Sequence, residues 1–280
     1  MSEQRDKNLW IFNAGNSFAG NPKWMFEYII RHHKEIKPVW MCYNADTMNY
    51  VHKLGYEAEL YHSSKGKSVM AKAGVYVVEM CKEVFQPELS GITVLNLWHG
   101  VGCKSIERKV TDGFLQERIA KKYIQNNDIL RNNQLFLVTS EIMEKHFKEQ
   151  CGIDDDKVIR AGYPRCVVND NIQSYDHDIR KKKGLSANTK LAIYCPTYRD
   201  NNGANFMKSA LPDMKRLAEV LHENNILLIL KMHPLVEKDT QYLAMKEVYR
   251  EHPNFYFWEN EDDVYEIFSD IDLSLIHISE

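Results

Sequence analysis

Residues 9–54 read LWIFNAGNSFAGNPKWMFEYIIRHHKEIKPVWMCYNADTMNYVHKL, and their rhythm decides the fold. Leu9 to Asn13 is a short apolar and aromatic run of strand character. A small, polar loop from Ala14 to Gly20 leads into Pro22 to His33, where Met25, Tyr28 and Ile29 recur at helical spacing. Asn21 is expected as the N-cap of that helix and Pro22 at its first position. Val39 to Tyr43 then reads as a second strand and Ala45 to Leu54 as a second helix. Strand, helix, strand, helix is the signature of βαβ units and a parallel sheet.

The same alternation continues outward. Strands are expected at Val75 to Val78, Ile92 to Trp98 and Leu135 to Val138, with helices near Gln116 to Arg131 and Glu141 to Gln150, giving a first half of five or six strands. A second half follows: a helix stopped by Gly184, a strand at Lys190 to Cys195, a helix at Ser209 to Asn224, a strand at Ile226 to Lys231, a helix at Lys238 to Arg250 and a strand at Phe255 to Trp258. Pro164 and the polar run behind it interrupt the pattern between Tyr163 and Ser174. At roughly 100–200 residues per domain, 280 residues accommodate two. The expected fold is α/β with two Rossmann-like parallel-sheet domains around a cleft, residues 1–165 and 166–280, and a ligand at the strand-end loops.

Composition narrows the function classes. A chain 44% hydrophobic and 27% charged is an ordinary folded protein, which excludes disorder and a disulfide miniprotein. The formal charge of −3 lacks the basic field of unspecific nucleic-acid binding, so no nucleic acid is expected as partner. No apolar stretch approaches the ~20 residues that span a bilayer, and the polar start from Met1 to Lys7 is unlike a signal peptide, so a cytoplasmic protein is expected. Six cysteines are scattered without CxxC or close Cys/His spacing, which argues for reduced thiols and against a zinc site.

The unusual residues cluster after strands. His99-Gly100-Val101-Gly102-Cys103-Lys104 places an imidazole, two glycines and a cation behind one strand: a general base near neutral pH and a backbone able to approach a phosphate, or else a turn with a satisfied histidine. Pro196-Thr197-Tyr198-Arg199-Asp200 offers a hydroxyl and a guanidinium suited to phosphate, or a proline turn with a surface Arg–Asp pair. Lys231-Met232-His233-Pro234 holds a cation and an imidazole at a strand tip. Gly162-Tyr163-Pro164-Arg165 marks the crossover, with Arg165 able to enter the cleft. Each motif alone has a bland structural reading. Together they describe an anion-binding cleft with titratable groups, suited to a phosphorylated or nucleotide substrate.

In this order, and with the stretches Trp10 to Tyr28 and Asn260 to Tyr265, the motifs resemble the CDP-glycerol glycerophosphotransferases of teichoic-acid and capsule synthesis. The resemblance covers nearly the whole chain. It implies a GT-B-like architecture and transfer of an alditol phosphate from CDP-glycerol, or a related CDP-alditol, to a hydroxyl of a lipid-linked or polymeric acceptor, with release of CMP. It further implies His99 as the base on the acceptor hydroxyl and His233 as the group that stabilises the phosphate or assists the leaving group. Arg199 and Lys231 would neutralise the shifting charge, and Gly100, Lys104, Arg165, Pro196, Thr197 and Asp200 would line the substrate site. No cofactor or metal is implied, and a peripheral position on the inner membrane face is.

Two departures stand out. Val101-Gly102-Cys103 replaces the family's common Thr-Pro-Leu, and the family's terminal Asp-Tyr-Ser-Ser motif does not follow Asp270-Ile271-Asp272-Leu273-Ser274, so a C-terminally truncated second domain is expected. Among weaker signals, Asp154-Asp155-Asp156 reads as a turn before a metal site, and Arg180 to Lys183 as cations completing a helix ahead of a glycine cap. The basic and apolar mixture from Lys104 to Arg131 fits either an anionic membrane surface or a helix packed on the sheet. A nucleotide-sugar glycosyltransferase of the same fold and a non-catalytic binding domain remain as alternatives. A dehydrogenase is disfavoured, since no GxGxxG follows the first strand.

Overall fold

The computed structural model describes residues 5–80, 86–102, 105–111, 114–125, 133–167, 178–196, 210–233, 236–258 and 263–275. The chain divides into two compact units, Met1–Ile172 and Gln173–Glu280.

The first unit is built on a seven-stranded parallel sheet in the order β3-β2-β1-β4-β5-β6-β7. Its strands are β1 (Asp6–Asn13), β2 (Lys37–Cys42), β3 (Ala58–Leu60), β4 (Ala73–Val78), β5 (Thr93–Asn96), β6 (Gln134–Val138) and β7 (Val158–Arg160). The helices are α1 (Gly20–His32), α2 (Ala45–Lys53), α3 (Ser64–Lys72), α4 (Phe114–Gln125), α5 (Glu141–Cys151) and the short α6 (Pro164–Val167). Side chains alternate across the sheet as a pleated strand requires. Phe12 and Trp40 join α1, α2 and α5 in one core, while Ile11 and Met41 join Met70 of α3 in the core on the other face.

Helix starts follow local chemistry. Asn44 caps α2 by accepting Thr47 N–H at 2.8 Å, and Ser63 caps α3 by accepting Gly66 N–H at 2.9 Å. Helix α1 departs from expectation: it begins at Gly20, with Ala19 as its N-cap and no side-chain cap bond. Asn21 therefore points inward and is fully buried.

The second unit carries a four-stranded parallel sheet, β10-β9-β8-β11. These strands are β8 (Lys190–Tyr194), β9 (Ile226–Leu230), β10 (Phe255–Phe257) and β11 (Leu273–Ser274), with helices α7 (Ile179–Lys182), α8 (Met214–Glu223) and α9 (Thr240–Tyr249). Helix α8 starts later than periodicity suggested because Asp213, just after Pro212, accepts Arg216 N–H at 2.8 Å and fixes the first turn. Ala218, Leu221 and Tyr242 pack on one face of the sheet, and Ile179, Val264 and Ile267 on the other. Lys183 donates to the carbonyls of Arg250 at 2.9 Å and His252 at 3.2 Å, so this cation closes the end of α9.

Candidate functional site

In the first sheet the strand order reverses between β1 and β4, the point at which the loops of a doubly wound fold part. Buried Asn13, ending β1, donates to Met41 O at 2.8 Å and Gly15 O at 3.0 Å and accepts Gly15 N–H at 3.1 Å, which folds the loop back on itself. Gly20 has φ 69°, and a methyl group there would collide with the Glu79 carboxylate. That carboxylate, one residue past β4, accepts Asn21 N–H at 2.8 Å. A carboxylate at the start of α1 stabilises the helix dipole and fills the place where a dinucleotide-binding fold receives its phosphates.

His99 follows β5 after Trp98, whose φ of 53° is left-handed. A bulky residue in that region costs on the order of 1–3 kcal/mol and needs its surroundings to hold it. Those surroundings are visible. Trp98 N–H donates to Asn96 Oδ1 at 3.0 Å, and the indole packs on Phe136 and Phe147 with centroids 5.6 and 5.4 Å away. Three successive carbonyls then each receive one side-chain donor: Asn21 Nδ2 to Trp98 O at 2.8 Å, Arg165 Nη2 to His99 O at 2.6 Å, and Tyr163 Oη to Gly100 O at 2.7 Å. Glycine freedom is not what shapes this turn, because the left-handed residue is Trp98 and neither Gly100 nor Gly102 has a positive φ.

The His99 ring stacks on Trp98 at 4.5 Å and 24° while keeping an exposed surface. Crowding by protein is the largest influence on its pKa and draws it below 6.5; Arg165 pushes the same way, while a bond to the Glu79 backbone carbonyl and the Glu107 charge oppose. A lowered pKa favours the neutral imidazole, the state a general base requires.

In the second unit, β8 and β9 end side by side. Lys231 N–H donates to Tyr194 O at 3.0 Å, Met232 is fully buried, and His233 stands exposed beyond it. The His233 carbonyl accepts Val236 N–H at 2.8 Å and Glu237 N–H at 3.3 Å, starting the next turn. Partial desolvation and the neighbouring Lys231 both lower the His233 pKa. Burial raises the Cys195 thiol to about 11, against the pull of Lys231, so Cys195 is a protonated thiol and no nucleophile at neutral pH. Pro196 is buried.

Of the residues expected at the site, His99, Gly100 and Arg165 are thus in mutual contact in the first unit, and Pro196, Lys231 and His233 sit at the strand ends of the second. Lys104, Thr197, Arg199 and Asp200 lie outside the described residues. Sequence reasoning missed Glu79 and gave Asn21 another role; the available signal for Glu79 was an acid immediately after the strand at the reversal point. Asp155, from the acidic triplet, pairs with Lys148 at 2.6 Å, and no cluster of three metal-ligating side chains occurs among the described residues. Within the basic segment, Lys122 is buried against Glu107 at 2.8 Å, whereas Arg118, Lys121 and Ile124 of α4 are exposed. No described helix is long and apolar enough to cross a membrane.

Comparison with known proteins adds a family and a fold. The family model for CDP-glycerol:poly(glycerophosphate) glycerophosphotransferases matches residues 1–276. A teichoic acid poly(glycerol phosphate) polymerase of Bacillus subtilis (strain 168) is 25% identical over 242 residues, 80% of this chain and 31% of that protein. Its counterpart in Bacillus spizizenii is 22% identical over 262 residues, 87% of this chain and 64% of that one. The chain therefore spans less than two thirds of either relative. A solved structure of the wall teichoic acid polymerase TagF superposes with a TM-score of 0.74 at 19% identity, covering 96% of this chain and 66% of that one. UDP-GlcNAc 2-epimerase from Methanocaldococcus jannaschii follows at 0.52 and 12%, covering 95% and 77%. These likenesses establish the GT-B-like α/β fold with two parallel-sheet units.

Proposed function

The chain belongs to the CDP-glycerol:poly(glycerophosphate) glycerophosphotransferase family, and from that premise we propose that it transfers glycerol phosphate, or a related alditol phosphate, from a CDP-alditol to a hydroxyl of a polymeric acceptor, releasing CMP. The observation that carries the reading is His99 just past β5, its carbonyl held by Arg165 at 2.6 Å and its imidazole pKa drawn below the ordinary value. In this reaction the acceptor O–H gives its proton to His99 as its oxygen bonds to the β-phosphorus. The bond from that phosphorus to the bridging oxygen breaks, and CMP leaves with the electron pair.

His233 and Lys231 serve the other end of the displacement. Unliganded, partial desolvation and Lys231 lower the His233 pKa; a bound pyrophosphate adds negative charge that favours its protonated form, able to hydrogen-bond the departing phosphate. Lys231 supplies a fixed positive charge there, and Arg199 is assigned to the same duty. Gly100, Lys104, Arg165, Pro196, Thr197 and Asp200 complete the proposed substrate contacts. The acceptor is read as lipid-linked and the protein as peripheral on the cytoplasmic membrane face, a reading supported by exposed Arg118, Lys121 and Ile124 on α4.

The test is His99→Ala with CDP-glycerol. CMP release is expected to fall by about 10²–10⁴-fold, while calorimetric binding of CDP-glycerol stays as in the wild type. Retained turnover removes His99 from the chemistry, and lost binding moves it to the donor site.

A further inference from the structure

We propose that Asn21 and Tyr163 are positioning residues that aim His99 and tune its proton affinity, an inference that rests on His99 being the acceptor-side base. The residues that hold the imidazole come from parts of the chain remote in sequence. Asn21 lies 77 residues before Trp98, and Tyr163 lies 63 residues after Gly100. Their donors meet the carbonyls on either side of His99, and Arg165 takes the carbonyl of His99 itself at 2.6 Å. One bond would anchor a loop; three on consecutive peptides fix the orientation of each plane and so the direction of the side chain between them.

Asn21 closes the arrangement into a circuit. Its Nδ2 holds Trp98 O at 2.8 Å, its Oδ1 accepts Arg165 N–H at 3.3 Å, and its own N–H is held by Glu79 Oε1 at 2.8 Å. The carbonyl of His99 is in turn held by Arg165, so Glu79, Asn21 and Arg165 form one connected frame around the residue. A fully buried amide is unfavourable unless bonded, and each end of this one is engaged on a segment that borders His99. The charged groups that bear on the ring are Arg165 and Glu107, with His146 facing the same loop across Gly102. Tyr163 and Asn21 change none of those charges, so their effect passes through geometry.

Tyr163→Phe is the clean probe, because it removes one hydroxyl and keeps the buried ring. In the full chain, His99 is titrated through its ring protons by NMR, and kcat and KM for CDP-glycerol are measured with a glycerol-phosphate acceptor. Loosening the loop relieves the crowding that dominates the His99 environment, so its pKa is expected to rise toward 6.5. Meanwhile kcat falls about five- to tenfold, KM stays within about twofold and the melting temperature holds. Asn21→Ser is expected to repeat the pattern more strongly; should it fail to fold, Tyr163→Phe alone decides. An unmoved His99 titration in Tyr163→Phe overturns the proposal, whether or not kcat changes. His99→Ala assayed in parallel separates the two levels: turnover retained there removes the base reading, while the titration still reports whether Tyr163 sets the His99 environment.

Discussion

The two histidine-bearing strand ends are built by different means. At the end of β9, His233 is placed by its own neighbourhood: Lys231 bonds backbone to backbone with Tyr194, Met232 is an apolar anchor in the core, and the His233 carbonyl starts the next turn. At the end of β5, His99 is placed by side chains from the start of α1 and from the Tyr163–Arg165 turn, against the strain of a left-handed Trp98. The first rests on backbone bonds and core packing. The second depends on residues a long way off in sequence, and so offers positions where a histidine can be detuned without being touched.

That contrast can be sharpened by experiment. His233→Ala is expected to lower kcat by about 10²–10³-fold, the usual loss on removing a donor that meets developing phosphate charge. It should leave the His99 titration unmoved; a shift at His99 would show that His233 bears on the His99 environment. Gly20→Ala acts on the His99 end alone. Left-handed backbone at an alanine costs about 1–2 kcal/mol, and the new methyl group displaces Glu79 from Asn21. Thermal unfolding should show a matching loss of stability and kcat should fall, whereas a wild-type kcat in a folded variant would separate Glu79 and Asn21 from the base.

Arg165→Gln gives the smallest effect, one of sign. A base works above its pKa, so the acid limb of kcat/KM for the wild type should lie below 6.5, the ordinary imidazole value from which His99 is displaced. Removing the positive charge of Arg165 raises that pKa and moves the limb upward in pH. A limb that stays put or moves down would take Arg165 out of the electrostatics of His99.

Much of this was legible in the sequence, for identifiable reasons. The βαβ rhythm of residues 9–54 shows because strand and helix periodicities are local. His99 and His233 could be singled out because each follows a β-rich run directly. Strand β3 escaped notice since three residues, Ala58, Glu59 and Leu60, are too short for a period. Asn21 before Pro22 reads as an N-cap, yet the helix starts at Gly20 because the carboxylate that caps it arrives from Glu79, 58 residues later. The turn after β5 hides its shape in the same way: glycines at 100 and 102 are its conspicuous residues, while Trp98, packed on Phe136 and Phe147, adopts the left-handed geometry. What the sequence withheld was tertiary in origin, the identity of the donors on the carbonyls of residues 98–100.

The most direct test of the proposed transfer is CMP release from CDP-glycerol by the 280-residue chain, with no acceptor, with a soluble glycerol-phosphate acceptor, and with a lipid-linked acceptor in anionic vesicles. Release is expected to depend on acceptor, with one alditol phosphate added per CMP formed and fastest turnover on the vesicles. Release that ignores the acceptor, or none from a chain that circular dichroism shows to be folded and calorimetry shows to bind CDP-glycerol, would contradict it.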